Sequence, residues 1–449
     1  MVGEPNDNEY GSLTDTDKIS EKHKRELGRI RSSPTFRLST LFIKSAEKPW
    51  KLLWLPISIL ILMFKVVRER LGYSTKYNDS SPYSYESNSR ESIVFFPTNG
   101  VGFGHFTRLL AIAKRIKKTK PQIEIIFFTT MPTLHLLKEE GFPAYHLPGR
   151  KNFGNMNTST WNSMVEELLS HVFAIHRPKA FIFDGSYPYR GMLNAINRRD
   201  DISRIWVRRG SFKKNAVNVP VDSFEIFDYL VRPGDSVEQS KDEAKLQIST
   251  IHCDPIVLLD EDDILPSNIL KSRLGIPQNE LVSYVQLGAG KINDIFSDIS
   301  IILSTLDDFG IWTVLGESLL GSRIEVSDFD KVRVIRDYPN SKYISSFDFG
   351  IISGGYNSFH EAVHFSLPCI CIPNPKTGMD DQNSRANVAS DLGFMFVEEN
   401  VTKPRMKSHI EKIIDPEIRY QMLDSGKSLK KPNGAQQVAK QILELVSVE

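Results

Sequence analysis

From Ser92 onward, short runs of consecutive apolar residues alternate with longer stretches whose apolar positions recur at helical spacing. The runs Ile93–Phe96, Ile123–Phe128, Ala180–Phe183 and Ile205–Val207 predict strands buried on both faces, because a half-exposed strand would alternate apolar with polar. Leu109–Ile116 and Trp161–His176 predict helices between them. A second series begins near Val282 and continues through Ile311–Leu315, Lys331–Ile335, Phe349–Ile352 and Cys369–Ile372. Strands that alternate with crossover helices imply parallel sheets. Two such series imply an α/β chain with two doubly wound, Rossmann-like domains facing a cleft. The expected boundaries are 92–258 for the first domain, 259–280 for a linker and 281–449 for the second.

Residues 1–91 break this pattern and form an extension. Positions 1–17 and 74–90, rich in Asn, Ser, Asp and Tyr, read as a disordered tail and a linker. Between them lies "KPWKLLWLPISILILMFKVVRER", whose uncharged core Leu52–Phe64 is thirteen residues long. A bilayer span needs ~20, and Pro56 interrupts the run. From Lys18 to Lys76 fourteen Lys and Arg stand against four acids, a local charge of +10. Basic flanks with Trp50 and Trp54 suit a segment, about 40–72, lying in the headgroup region of an anionic membrane. A helix packed on the protein's own surface, or a true short span, are the alternatives.

The whole chain of 449 residues is otherwise balanced, with a formal net charge of +1, and nothing in that balance points to nucleic acid. Of the three cysteines, Cys369 and Cys371 alternate inside the apolar run "PCICIP" and read as small buried hydrophobes. The odd count and the lack of zinc spacing favour a reducing compartment. Residues 1–30 are polar and charged, unlike a secretory signal. The expected location is therefore cytoplasmic, peripherally attached to the inner face of the cell membrane.

Two stretches carry candidate chemistry. In "IVFFPTNGVGFGHFTRLLAIAKRI" a strand runs into Gly100, Gly102 and Gly104, then His105 and a helix. A glycine turn at a helix N-terminus presents backbone N–H groups to an anion. The dinucleotide fingerprint G-x-G-x-x-G is broken, because His105 stands where its third glycine belongs, and the next apolar run ends in Thr129 and Thr130 rather than an acid. In the second stretch, 347–389, a buried strand ends in Ser353, Gly354 and Gly355, and Tyr356, Asn357 and Ser358 open a helix carrying Glu361. Glu361 is either a capping-box acid for Ser358 or a carboxylate for two ribose hydroxyls. The following strand leads to Asp380, Asp381, Gln382 and Arg385. By contrast "DEDD" at 260–263 falls in the linker and reads as a solvated acidic run rather than a metal site.

The order strand, Gly-Gly loop, helix with Glu, strand, Asp-Asp-Gln resembles the family 28 glycosyltransferases, typified by the peptidoglycan GlcNAc-transferase. "GVGFGHFTR" is similar to their amino-terminal glycine loop ending in His. The resemblance covers roughly 92–445, most strongly 98–108 and 347–389. It implies a GT-B fold and an inverting transfer from a UDP-sugar, with no cofactor beyond the donor and no metal. The sugar would be a hexose or N-acetylhexosamine, and the acceptor a lipid-linked or cell-envelope glycan. It further implies donor contacts at Gly288, Gly290, Gly354, Gly355, Tyr356, Asn357, Ser358, Glu361, Asp380, Asp381, Gln382 and Arg385, with Glu361 on the ribose. Gly100, Gly102 and Gly104 would face a diphosphate. His105 would be the general base, with Asp184 as the other strand-end candidate and a helix cap or buried ring as the alternative for His105. Arg108, Arg190, Arg208 and Arg209 suit acceptor phosphate or carboxylate groups. The segments "YPYRG" (187–191) and "WVRRG" (206–210) set the acceptor side apart from the peptidoglycan enzyme. Two other classes fit the same residues: a nucleotide-sugar hydrolase or epimerase, and a non-catalytic subunit that anchors a partner to the membrane.

Overall fold

The computed structural model describes residues 34–46, 50, 54–70, 91–98, 102–132, 134–154, 156–209, 221–236, 248–288, 290, 295–321, 323–377 and 380–446. The expected disordered stretches 1–17 and 74–90 lie outside these residues. The chain divides into two units, Met1–Asn88 and Ser89–Glu449. In the first, helices α1 (Pro34–Ala46) and α2 (Leu55–Arg70) pack on each other. Both leave apolar side chains exposed: Phe36, Phe42 and Ile43 on α1, and Ile57, Leu60, Ile61, Phe64 and Val67 on α2. On α2 these recur three and four apart, so they form one stripe. At 1.5 Å per residue α2 is about 24 Å long, against a ~30 Å hydrocarbon core. No described helix is long and apolar enough to cross a membrane.

The second unit holds two parallel sheets. The first lobe runs β1 (Ser92–Pro97), α3 (Gly104–Thr119), β2 (Glu124–Thr129), α4 (Leu134–Glu139), β3 (Ala144–His146), α5 (Thr158–His176), β4 (Ala180–Asp184), α6 (Arg190–Asn197), β5 (Ser203–Val207), α7 (Val221–Glu225), β6 (Tyr229–Pro233) and β7 (Ser249–Cys253). Its strand order is β3-β2-β1-β4-β5-β6-β7. The second lobe runs α8 (Ser267–Leu274), β8 (Val282–Gln286), α9 (Phe296–Asp308), β9 (Trp312–Gly316), β10 (Val332–Ile335), β11 (Phe349–Ser353), α10 (Tyr356–His364), β12 (Cys369–Ile372), α11 (Gln382–Asp391), β13 (Met395–Val397), α12 (Lys403–Ile413), α13 (Pro416–Gly426) and α14 (Gly434–Val446). Its order is β10-β9-β8-β11-β12-β13.

The continuous apolar strands are explained by burial on both faces. Ile93 and Phe95 enter one core cluster with Leu109, Ile112 and Ile116 of α3. Val94 and Phe96 enter the other, with Val165 and Leu169 of α5. The short or polar strands β3, β6, β7 and β13 escape the sequence pattern; β7 exposes Ser249, Thr250 and His252, as an edge strand can. In each sheet the winding reverses once, between β1 and β4 and between β8 and β11. Such switch points open a crevice beyond the carboxyl ends of the strands.

Two expected boundaries are corrected. Segment 259–280 is not a free linker, because Leu270 and Ile276 join the second lobe's core and the Leu265 N–H donates to the Lys342 carbonyl at 2.8 Å. The last helix, α14, leaves the second lobe and places Ala435, Val438, Ala439 and Ile442 in the first lobe's core beside α3. That return is held by Asn433, whose amide donates to the carbonyl of Val257 at 2.9 Å and to Asp260 at 3.0 Å. Asp260 also receives Arg115 at 2.7 Å, and the Asp263 carboxylate accepts the Asp260 N–H, so the acidic run is a capped turn.

Gly434 marks the tightest point of the crossing, where an added Cβ would lie 1.9 Å from the Asp254 carbonyl oxygen. Gly434→Ala is expected to lower unfolding free energy by about 1–3 kcal/mol through overpacking, read as a fall in denaturant midpoint. An unchanged midpoint would show that α14 is not clamped there.

Candidate active site

The two switch points face a common cleft of about 620 Å³. On the first-lobe side it is lined by Gly102, Phe103, Gly104 and His105 at the start of α3; Gly100 lies outside the described residues. A Cβ added at Gly102 would meet no atom of the described residues within 4 Å. The protein's own packing therefore does not demand glycine there, and the space belongs to the cleft.

His105 and Asp184, alternatives for one role in the sequence, are brought together. The His105 Nδ1 lies 2.6 Å from Asp184 Oδ1. A ring nitrogen that close to a carboxylate oxygen must carry the proton between them, so Nε2 is left as the ring's acceptor. Asp184 is fixed in turn: its carbonyl accepts the Thr98 N–H at 2.9 Å and hydroxyl at 3.2 Å. The next residue must be glycine, since a Cβ on Gly185 would stand 2.5 Å from Thr98. Arg108, one turn along α3, grips both carboxylate oxygens through Nε at 2.9 Å and Nη2 at 2.7 Å. Burial pushes the His105 pKa below its ordinary value, with Asp184 pulling it up and Arg108 pushing it down. Burial opposes ionisation of Asp184, but Arg108 and His105 hold its carboxyl below the usual range.

On the second-lobe side, β8 leads to Gly288 and Gly290, with φ of 98° and 66°; this left-handed region favours glycine. β11 leads through Gly354 to Gly355, the N-cap of α10, which has no side-chain cap. The first-turn residues Tyr356, Asn357 and Ser358 line the cleft. Asn357 Oδ1 is buried with no hydrogen-bond partner among the described residues. Because α10 starts at Tyr356, Ser358 is not its N-cap, and the capping-box reading of Glu361 falls. Glu361 instead lines the cleft and accepts the Ser341 hydroxyl at 3.1 Å. Burial pushes its pKa up to about 7. Gln382 also lines the cleft, its carbonyl oxygen accepting the Asn374 N–H at 2.9 Å.

Several expected contacts are corrected by what their side chains hold. Asp381 caps α11 by accepting the Ser384 N–H at 3.0 Å and does not line the cleft. Arg385 is fully buried and bound to Asp235 at 2.6 Å, Asp380 at 2.8 Å and the Gly354 carbonyl at 2.8 Å. Arg209 donates to Asp380 at 2.9 Å. Arg208 is buried over the Trp206 ring, and Arg190 is exposed at the start of α6; neither lines the cleft. Arg108 and Arg209 do line it, but with guanidinium groups already on carboxylates. Tyr187, from the segment 187–191 singled out in the sequence, also lines the cleft, and lining residues that the sequence reading missed include Glu317, Tyr338, Asn340, Ser341 and Asn374. All follow the carboxyl ends of strands, which is the signal that would have found them. Among the described residues no cluster of His, Cys, Asp and Glu is placed to hold a metal ion.

No family model matches the chain. It is 23% identical over 365 residues to the UDP-N-acetylglucosamine–N-acetylmuramyl-(pentapeptide) pyrophosphoryl-undecaprenol N-acetylglucosamine transferase of Bdellovibrio bacteriovorus, covering 76% of this chain and 96% of that protein. In structure it is similar to MurG of Acinetobacter baumannii, with 13% identity, a TM-score of 0.51, and 79% of this chain and 99% of that one covered. The corresponding values for Medicago truncatula UGT71G1 complexed with UDP-glucose are 13%, 0.53, 80% and 99%. With two parallel sheets whose switch points share one cleft, the chain is a glycosyltransferase of the GT-B fold, similar to family 28.

Proposed function

We propose that the chain is an inverting, metal-independent transferase that moves a hexose or N-acetylhexosamine from a UDP-sugar to a hydroxyl of a lipid-linked or cell-envelope glycan. The His105–Asp184 pair, set across one cleft from the open N-terminus of α10, carries this reading. The acceptor hydroxyl gives its proton to His105 Nε2 as its oxygen attacks the anomeric carbon. The bond from that carbon to the diphosphate oxygen breaks on the opposite face, and UDP leaves with the electron pair. Asp184 stays ionised and stabilises the imidazolium. Backbone N–H groups at the starts of α3 and α10 face the diphosphate charge. Glu361 accepts the ribose hydroxyls, and Gln382 stands nearer the sugar. The donor class is supported by the names of the relative from Bdellovibrio and of the UDP-glucose complex.

The N-terminal unit supplies attachment in this reading. The apolar stripe of α2 and the exposed residues of α1 enter the headgroup region, and the +10 of residues 18–76 draws them to anionic lipid on the cytoplasmic face.

Purified protein given UDP-sugars should release UDP only when a lipid-extract acceptor is present. Release without acceptor would mean a hydrolase or epimerase, and binding without turnover a non-catalytic subunit. His105→Ala is expected to lower kcat at least about 100-fold with UDP affinity near wild type. Retained activity would remove His105 from the base role.

Glu361→Gln should separate stability from binding. A carboxyl whose folded pKa is about 7 favours folding only while protonated, and this advantage is lost as pH rises from its unfolded value towards 7. The neutral variant avoids that loss, so it should match wild type near pH 4.5 and exceed it by up to about 3 kcal/mol at pH 8. Its affinity for UDP should fall by roughly 1–3 kcal/mol, measured calorimetrically. Unchanged UDP affinity would exclude the ribose contact.

For the membrane, the full chain is expected to sediment with anionic vesicles and to detach partly in high salt, while a chain beginning at Ser92 stays in the supernatant. Resistance to carbonate washing would indicate a spanning segment instead.

A further inference from the structure

Arg108 looks at first like a cation for an acceptor phosphate, but it is buried and committed. Its Nε and Nη2 take both oxygens of Asp184, and Nη2 lies 3.0 Å from His105 Nδ1. Its guanidinium carbon is 5.5 Å from the centre of the Tyr356 ring, on the first turn of α10. The Tyr356 hydroxyl, in turn, donates to the Gly234 carbonyl at 2.9 Å and accepts the Ile256 N–H at 3.1 Å. One side chain thus touches the histidine, its carboxylate and the helix that opens the donor side.

We propose that Arg108 is a positioning residue that lets Asp184 orient His105 without trapping it protonated, and that ties this pair to the start of α10. The inference rests on His105 being the general base. A carboxylate 2.6 Å from an imidazole both fixes the ring and favours its charged form. The charged form cannot accept a proton. Arg108 leaves the orientation untouched, because Asp184 Oδ1 has lone pairs for both donors, yet it offsets the carboxylate's charge at the ring. The charged and titratable groups around His105 are Asp184 at the end of β4, Arg108 on its own helix, and Arg209 after β5, with Tyr356 of the second lobe against both arginines. Asp184 alone among them is anionic. Arg209 cannot replace Arg108, because it is paired with Asp380.

The test is the pH dependence of kcat in the full-length enzyme, with UDP-sugar and lipid acceptor, for wild type, Arg108→Gln, Arg108→Lys and His105→Ala. In Arg108→Gln the uncompensated Asp184 should move the acid limb of the profile up by about one pH unit or more, with activity recovering toward alkaline pH. Arg108→Lys keeps the charge but not the two-point grip. Its acid limb should stay near that of wild type while kcat falls at every pH. Nitrogen NMR of histidine in the ligand-free wild-type enzyme should show the Nδ1–H tautomer for His105, and the same probe in either variant reads the ring's titration directly. If Arg108→Gln loses activity equally at all pH values with the histidine titration unmoved, Arg108 is only a packing residue and the inference fails. If His105→Ala keeps both its activity and the acid limb, the general-base reading fails instead, whatever the arginine variants do.

Discussion

Arg385 lies between the two lobes with no solvent exposure and almost every donor occupied. Two of its bonds reach Asp235, beyond β6 in the first lobe, and others reach Asp380 and the Gly354 carbonyl in the second. His360 stands 3.3 Å from the same Asp235, and Arg209 crosses from the first lobe to Asp380. Buried charges of this kind add little net stability compared with apolar packing, but removing any partner leaves an uncompensated charge in a dry interface. Sliding one lobe on the other would do the same. The network therefore favours the register in which the end of β4 faces the start of α10 across the cleft.

In the reading proposed above, charge within the cleft is arranged around the donor's diphosphate. Two helix N-termini face it, and the nearby arginines are neutralised by Asp184, Asp380 and Asp235. Glu361 is the exception, a carboxyl with a hydroxyl neighbour and no cation partner among the described residues. Its raised pKa keeps much of it uncharged near neutral pH. A ligand offering two hydroxyl donors would favour the ionised form. In the proposed reading, Glu361 thus repels an incoming diphosphate less and still offers the ribose a strong acceptor.

Much of this was legible in the sequence because it depends on local pattern. Ile93–Phe96 declared a buried parallel strand, and the glycine loops announced the starts of α3 and α10. What was not legible is pairing at a distance. His105 and Asp184 are 79 positions apart and read as competitors for one role, whereas they share a hydrogen bond. Arg209 and Asp380 are 171 apart, and nothing in their local pattern shows that they pair with each other across the cleft they line. Ser358 and Glu361 fitted a capping box at the right spacing, but the helix begins two residues before Ser358. Spacing identifies a motif only once the element's first residue is known, and that residue is set by Gly355 and the packing of Tyr356 rather than by the motif.

The crossing of α14 has a consequence for how the protein is made. The first lobe's sheet is complete in sequence by Cys253, yet part of its core, from Ala435 to Val446, comes from a helix that follows the whole second lobe in sequence. Domains synthesised early usually fold as they emerge. Here the early lobe lacks the core residues supplied by α14 until the second lobe has been made. A nascent chain, or a fragment that stops before α14, therefore lacks Ala435, Val438, Ala439 and Ile442 from that core.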